Sequence, residues 1–264
     1  MLPITFPYIM GFDVSGIVQD IGKKVTKFKI GDAVYSRPNT MQAGTIAEYT
    51  LVKEEELALK PSNISYSEAA SIPLAGLTAW QALVSKGKLQ KGQKVLIHAG
   101  SGGVGTLAIQ IAKYLGAEVA ATTSTKNIEM VKELGADIVI DYKNKNFEEE
   151  LKDYDLVLDM MGDEILEKSF KVLKKGGTLI SIKGQDTKNL AGQYDVQFEF
   201  FLMWPSGEML TIIAELIDRK ILKPVIDRTF TLNQTQEAYD YLLTGRAKGK
   251  VVIQVKWNNG SVAV

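Results

Sequence analysis

Gly100, Gly102 and Gly105 form a G-x-G-x-x-G spacing inside Lys94-Val-Leu-Ile-His-Ala-Gly-Ser-Gly-Gly-Val-Gly-Thr106. The apolar run Val95 to Ala99 before them predicts a strand buried on both faces. After them, Leu107, Ile109, Ile111, Ala112 and Leu115 recur at helical spacing until Gly116 ends the pattern. A strand, a glycine turn and a helix in that order can cradle a dinucleotide. The first glycine permits the tight turn, the second lets the backbone approach a pyrophosphate, and the third lets helix and strand pack closely. Free amides at the helix start, aided by its dipole, then face the phosphates. A purely structural glycine turn is the competing reading.

The end of the next strand indicates which dinucleotide. A carboxylate there would read a ribose 2′-hydroxyl. The chain instead has Ala121-Thr-Thr-Ser-Thr-Lys-Asn127, with hydroxyls and a cation but no Asp or Glu. Ser124 and Lys126 suit a 2′-phosphate, which a carboxylate would repel, so the stretch predicts NADPH over NADH. A Ser/Thr cap for a helix beginning at Ile128 would be compatible with either coenzyme. Tyr142, after a third strand, is read either as lying against the adenine ribose or phosphate or as a surface-turn tyrosine.

These residues need a positioning scaffold. Between Lys94 and Ile182 the pattern alternates strand and helix. Strands are predicted at Glu118–Thr122, Ile138–Ile140, Leu156–Asp159 and Thr178–Ile182. Helices are predicted at Asn127–Leu134, Phe147–Leu151 and Ile165–Leu173. That rhythm predicts an α/β fold with a doubly wound parallel sheet and right-handed crossovers. Residues 11–60 read as all-β, with strands at Gly11–Val18, Val25–Asp32, Ala33–Tyr35 and Ile46–Val52, suggesting a small barrel. A polar connector, Pro61–Ser67, leads to a Ser-capped helix at Ser67–Ile72. Pro73 interrupts it, and Thr78–Lys86 is helical again. A helix near Gly207–Arg219 follows, then strand, helix and strand at Pro224–Phe230, Gln234–Leu243 and Lys250–Val255. The last strands are expected to return to the first domain, and the Asn258–Ser261 tail to fray.

Composition narrows the function classes. With 45% hydrophobic and 23% charged residues and a formal net charge of zero, the 264-residue chain is an ordinary globular sequence. Its dispersed cations argue against nucleic acid or an anionic membrane as partner. No apolar run is long enough to span a bilayer, and Met1–Met10 lacks the features of a signal peptide. Cysteine is absent, which excludes disulfides and thiolate metal sites and makes a cytoplasmic setting the default. His98 is the only histidine and lies in the buried strand, so a core or loop-supporting role is expected of it and no metal site is predicted.

Further stretches carry a resemblance. They are Gly11-Phe-Asp-Val-Ser-Gly-Ile-Val18, Phe28-Lys-Ile-Gly-Asp-Ala-Val-Tyr35, Gly44-Thr-Ile-Ala-Glu-Tyr49, Glu68-Ala-Ala-Ser-Ile-Pro-Leu74 and Leu77-Thr-Ala-Trp-Gln-Ala-Leu83. Ala99–Gly105, Leu134-Gly-Ala-Asp137 with Ile140-Asp-Tyr142, Lys174–Gly177 and Gly245–Val252 complete the set. In order, these cover nearly the whole chain, which resembles the medium-chain dehydrogenase/reductase superfamily, in its zinc-independent NADPH:quinone oxidoreductase branch, the group containing zeta-crystallin. The resemblance implies a Rossmann sheet plus a partial GroES-like β-barrel domain. Residues 1–75, completed by 223–264, would form the GroES-like substrate domain, and 76–222 the NADPH-binding domain. Zinc-dependent members carry Gly-His-Glu where this chain has Gly11-Phe12-Asp13. The family has further strands before that segment, so the chain is expected to be N-terminally truncated, by a late gene start or naturally, with part of its barrel core exposed.

Carried over by resemblance, Ser101, Gly102, Gly103 and Val104 would contact the pyrophosphate, and Ser124, Lys126 and Tyr142 the 2′-phosphate end. Thr78 would approach the nicotinamide side. Met161, Gly162 and, similarly, Lys183 and Gly184 would border the groove at the carboxyl ends of the strands. Phe200, Phe201 and the run Arg246, Lys248, Lys250 are further contacts, the aromatics being equally readable as interface packing and the basic run as a solvated turn. The implied chemistry is hydride transfer from NADPH to a quinone or α,β-unsaturated carbonyl, with no catalytic acid identified. The alternatives are an NADPH-binding redox sensor or scaffold without turnover, and an enoyl-thioester reductase. A homodimer is also implied by resemblance.

Overall fold

The computed structural model describes residues 6–39 and 44–255, so the Asn258–Ser261 tail lies outside the described residues. It divides into two compact units, residues 1–77 with 204–264 and residues 78–203.

The first unit begins with strands β1 (Val14–Ile17), β2 (Ala33–Ser36) and β3 (Leu57–Leu59), an antiparallel sheet in the order β1-β2-β3. Tyr35 stands opposite Ser15 on one side and Ala58 on the other. Two expected strands do not form. Val25–Asp32 is irregular, with a bend at Lys27 and a turn at Ile30–Gly31, and its amides go elsewhere: Thr26 and Lys27 N–H both donate to Glu54 Oε1, at 2.7 and 2.5 Å. Ile46–Val52 has bends at Ile46–Glu48 and is irregular beyond them, with no ladder partner among the described residues. A cavity of about 380 Å³ opens in this unit among Val14, Ile17, Val34, Tyr49, Leu51 and Leu57. Helix α1 (Tyr66–Ala70) is capped by Ser65, not Ser67: Ser65 Oγ accepts from Glu68 N, and the Glu68 carboxylate accepts from Ser65 N. This reciprocal pair satisfies two otherwise orphaned amides. Helix α2 (Pro73–Trp80) begins at Pro73, where a missing N–H costs nothing, so the proline opens this helix.

In the second unit come β4 (Lys94–Ile97), α3 (Gly103–Tyr114), β5 (Glu118–Thr123), α4 (Ile128–Glu133), β6 (Ile138–Asp141), α5 (Phe147–Glu150), β7 (Tyr154–Asp159), α6 (Asp163–Ser169), β8 (Leu173–Ser181), α7 (Leu190–Tyr194) and β9 (Gln197–Phe200). The strands form one parallel six-stranded sheet in the order β6-β5-β4-β7-β8-β9. Val95, Leu96 and Ile97 are all fully buried, as a strand covered on both faces requires. On one face Leu96, Ala120 and Val157 join Phe147, Leu166 and Phe170 in a core. The chain leaves β4 for β5 and β6 on one side, then returns to β7, β8 and β9 on the other. The turn after β4 therefore lies where the strand order reverses, the place such sheets bind ligands.

The chain then re-enters the first unit with α8 (Gly207–Asp218), β10 (Ile226–Thr231), α9 (Thr235–Leu243) and β11 (Lys250–Gln254). Residues 204–222, expected in the nucleotide-binding domain, group with this unit because their hydrogen bonds lie there. Tyr35 Oη donates to Leu210 O at 2.5 Å, and Asp218 Oδ1 accepts from Ser62 N and Oγ at 2.8 and 2.9 Å. Gly207 is forced by close approach, since a Cβ there would meet Leu57 O at 2.3 Å. β10 and β11 pair in parallel. Gln254 Nε2 donates to Ser67 Oγ at 2.9 Å, and Lys250 Nζ lies 2.9 Å from Asp13 Oδ2. Among the described residues, no helix is long and apolar enough to cross a membrane.

Candidate dinucleotide-binding site

The second unit turns from β4 into α3 through Ala99–Gly102, and the three motif glycines do different things. A Cβ at Gly105 would lie 2.3 Å from Ala99 O and 2.8 Å from Gly100 Cα, so this residue sets how closely α3 approaches the strand. A Cβ at Gly100 would press on Ala121 Cβ at 2.9 Å. At Gly102 the nearest atom would be Ala99 O at 3.3 Å, with nothing else within 4 Å, so its missing side chain leaves open space. Gly102 is also the N-cap of α3 and carries no side-chain cap, so the first amides of this helix have no side chain bonded to them from that position. Open space, bare amides and the helix dipole fit a pyrophosphate, with Ser101, Gly102, Gly103 and Val104 at its edge.

The turn is held from β5. Gly100 N–H donates to Thr122 O at 2.8 Å and Ala99 N–H to Thr122 Oγ1 at 3.2 Å, while Gly102 N–H closes on Ala99 O at 2.9 Å. Ala99 is thereby kept at φ +48°, a left-handed conformation that an alanine adopts only under constraint. His98 backs this arrangement. It is buried, with Nδ1 3.1 Å from Thr122 Oγ1 and Nε2 2.9 Å from Ser169 Oγ. Burial pushes its pKa down to about 4, so the ring is neutral at ordinary pH.

Beyond β5, Ser124 makes no capping hydrogen bond, so its hydroxyl is not spent on the helix that follows. Lys126 is exposed, and Tyr142 is 59% exposed with its N–H donating to Thr123 O. A carboxylate that the local sequence did not reveal, Asp141, comes in from the end of β6. Its oxygens accept from Thr125 Oγ1 at 2.6 Å, Asn144 Nδ2 at 2.6 Å and Lys143 N at 3.1 Å. The Thr125 hydroxyl is the main cause holding Asp141 below the usual carboxylate range. Hydrogen bonds from the β5 end and from its own loop thus engage both of its oxygens. Asn127 was also missed: its Nδ2 donates to Ser101 Oγ at 2.9 Å, tying the end of β5 to the glycine turn, while its buried Oδ1 has no partner among the described residues. A polar residue before a helix reads as a cap, and nothing local signals a bond across 26 residues.

The loops after β7 and β8 share one buried carboxylate. Asp159 accepts from Met161 N at 3.0 Å, Gly162 N at 3.1 Å and Ser181 Oγ at 2.7 Å, and Ser181 Oγ accepts from Gly184 N at 3.0 Å. Gly162 sits at φ +74°, and a Cβ at Gly184 would meet Gly162 Cα at 3.2 Å, so the two loops abut. Met161 stands exposed beside them. Thr78, on α2, is buried.

Lys248 and Lys250 belong to the first unit. Lys248 N–H donates to Asp227 Oδ2, and the Lys250 ammonium is committed to Asp13, whose other oxygen accepts from Leu74 N at 2.6 Å. In this structure Lys250 is thus the counter-ion of Asp13. The same pairing bears on zinc. Asp13 already carries a lysine counter-ion, both His98 ring nitrogens are hydrogen-bonded, and cysteine is absent, so the donor set does not fit zinc.

Comparison with known proteins agrees with this architecture. Residues 2–62 match the alcohol dehydrogenase GroES-like domain, residues 134–253 a zinc-binding dehydrogenase domain, and residues 78–160 the alanine dehydrogenase/PNT C-terminal domain. The 2-methylene-furan-3-one reductase of Solanum lycopersicum is 40% identical over 94% of this chain and 63% of its own length. The chloroplastic NADPH-dependent alkenal/one oxidoreductase of Arabidopsis thaliana is 38% identical over 94% of this chain and 64% of its own. The chain thus spans less than two thirds of these relatives. The quinone oxidoreductase structure from Coxiella burnetii superposes with a TM-score of 0.89 at 33% identity, covering 95% of this chain and 80% of that one. From its reversed parallel sheet, its glycine turn and these likenesses, the chain belongs to the medium-chain dehydrogenase/reductase superfamily.

Proposed function

We propose that this protein is a zinc-independent, NADPH-dependent reductase of quinones or α,β-unsaturated carbonyls. The observation that carries the reading is the pairing of an open glycine turn with a β5 terminus where the nearby carboxylate Asp141 is hydrogen-bonded by Thr125, Lys143 and Asn144. Bound NADPH would supply the hydride. The chain's own residues bind and orient: the turn amides hold the pyrophosphate, and Ser124, Lys126 and Tyr142 meet the 2′-phosphate end. The Asp159–Ser181 pair fixes the loops carrying Met161, Gly162 and Gly184. The similarity to an alkenal/one oxidoreductase and to a quinone oxidoreductase supports this acceptor class. Zinc independence is supported by the donor set, in which no cysteine exists and Asp13 is paired with Lys250. Residues 1–75 with 223–264 serve the acceptor and 76–222 the coenzyme, apart from the 204–222 segment that packs with the former. The proposal includes a cytoplasmic setting, suited to a cysteine-free chain, and a homodimer, supported by the sheet edge that β9 leaves unpaired among the described residues.

The test is a titration of the purified protein with NADPH and NADH, followed by addition of a quinone or an enone. Saturable binding that favours NADPH, with oxidation on adding acceptor, is expected. Binding without oxidation would leave a coenzyme-binding protein, and no saturable binding would defeat the reading altogether.

A further inference from the structure

We propose that His98 is a positioning residue for the coenzyme turn, its Nδ1 holding the Thr122 hydroxyl so that Thr122 fixes the backbone of Ala99 and Gly100. This rests on the dinucleotide reading above and names how that site is kept in shape.

The hydrogen-bond directions follow from the partners. Ser169 Oγ donates to Ile165 O at 2.6 Å, so its lone pairs are what it offers His98, and Nε2 must carry the proton. Nδ1 is then a bare acceptor, and Thr122 Oγ1 donates its hydrogen to it. With that hydrogen turned toward His98, the Thr122 oxygen presents a lone pair to Ala99 N–H, while its main-chain oxygen takes Gly100 N–H. The left-handed Ala99 is thus held on both sides, by Thr122 and by Gly102. On its far side the same ring reaches α6, the helix that follows Gly162. One neutral imidazole therefore links the turn after β4 to the helix after β7. The Phe147 ring meets it edge-on at 4.6 Å, and Asp159 and Glu148 are the charged groups acting on it. Burial outweighs both carboxylates, so the ring stays neutral and Nδ1 stays an acceptor.

Because the chain has one histidine, nitrogen-15 NMR reads its tautomer without ambiguity. The Nε2–H form is expected in the ligand-free protein; the Nδ1–H form would overturn the assignment. Variants separate positioning from packing. Asparagine places an acceptor near the Nδ1 position and nothing at Nε2, whereas glutamine does the reverse. His98→Asn and His98→Gln should lower the melting temperature alike. His98→Gln and Thr122→Val should speed amide exchange at Ala99 and Gly100 in the ligand-free protein and weaken NADPH about tenfold, with His98→Asn within about twofold of wild type. Equal behaviour of the Asn and Gln variants in both readouts would reduce His98 to packing. If the wild type binds no dinucleotide, the functional reading fails, while the exchange rates still decide whether His98 holds the turn.

Discussion

On the proposed function, coenzyme choice turns on Lys126. It is exposed beside Ser124, while Asp141, the nearby carboxylate, is occupied by Thr125, Lys143 and Asn144. Lys126→Ala should weaken NADPH about tenfold, the scale of one charge-assisted hydrogen bond, and leave NADH nearly unchanged. Fluorescence titration with both coenzymes decides it, and equal losses would count against the 2′-phosphate role. His98 predicts a pH effect on stability. Its folded pKa of about 4 lies below the ordinary 6.5, so between these values the unfolded chain binds a proton that the folded chain refuses. Its contribution is fully present above 6.5 and declines toward pH 4, by about 3 kcal/mol at the acid end. Denaturant unfolding at pH 7 and pH 4.5 should show that decline in the wild type and a shallower one in His98→Asn. The glycine turn was legible in the sequence because its spacing acts within one loop, and the hydroxyls and lysine proposed for the 2′-phosphate lie in a single stretch as well. Asn127 and Asp141 were not, since their partners Ser101 and Thr125 come from other turns of the chain.

Elements show which local patterns suffice. The β4–turn–α3 unit forms as its sequence predicts because apolar runs and glycine spacing both favour it at short range. Val25–Asp32 and Ile46–Val52 carry strand-like composition yet form none, because a strand needs a neighbouring ladder, and Glu54 instead takes the amides of Thr26 and Lys27. β9 shows the reverse: an aromatic stretch read as contact surface is a strand because β8 lies beside it. The turn itself yields a paired prediction. Gly105→Ala forces a methyl against Ala99 O and should cost about 2 kcal/mol of stability as well as coenzyme binding. Gly102→Ala, at φ −82° and with no backbone closer than 3.3 Å, should stay within about 0.5 kcal/mol of wild type in urea unfolding. Its methyl would nonetheless fill the space proposed for the pyrophosphate and abolish most NADPH affinity. A Gly102→Ala variant that binds normally would show that the phosphates lie elsewhere.

At the scale of the whole molecule, the first unit is closed by contacts between the two ends of the described chain. Asp13 and Lys250 are 237 positions apart and 2.9 Å distant, with Asp13 only 6% exposed. Lys250→Met would strand that carboxylate and should destabilise the protein by about 2–3 kcal/mol, and adding Asp13→Asn should recover most of the loss. If instead Lys250→Met left unfolding unchanged and weakened NADPH, Lys250 would be a coenzyme ligand after all. The periodic patterns of strand and helix, the glycine turn and the lack of thiol ligands can be read along the chain, because they depend on residue type and near-neighbour spacing. Which strands find partners, that 204–222 packs with the first unit, that Lys250 serves Asp13 and that Thr122 and His98 grip the turn depend on the fold. Those features arise from hydrogen bonds and ion pairs between segments distant in sequence, and a linear pattern carries no record of which buried polar groups will meet.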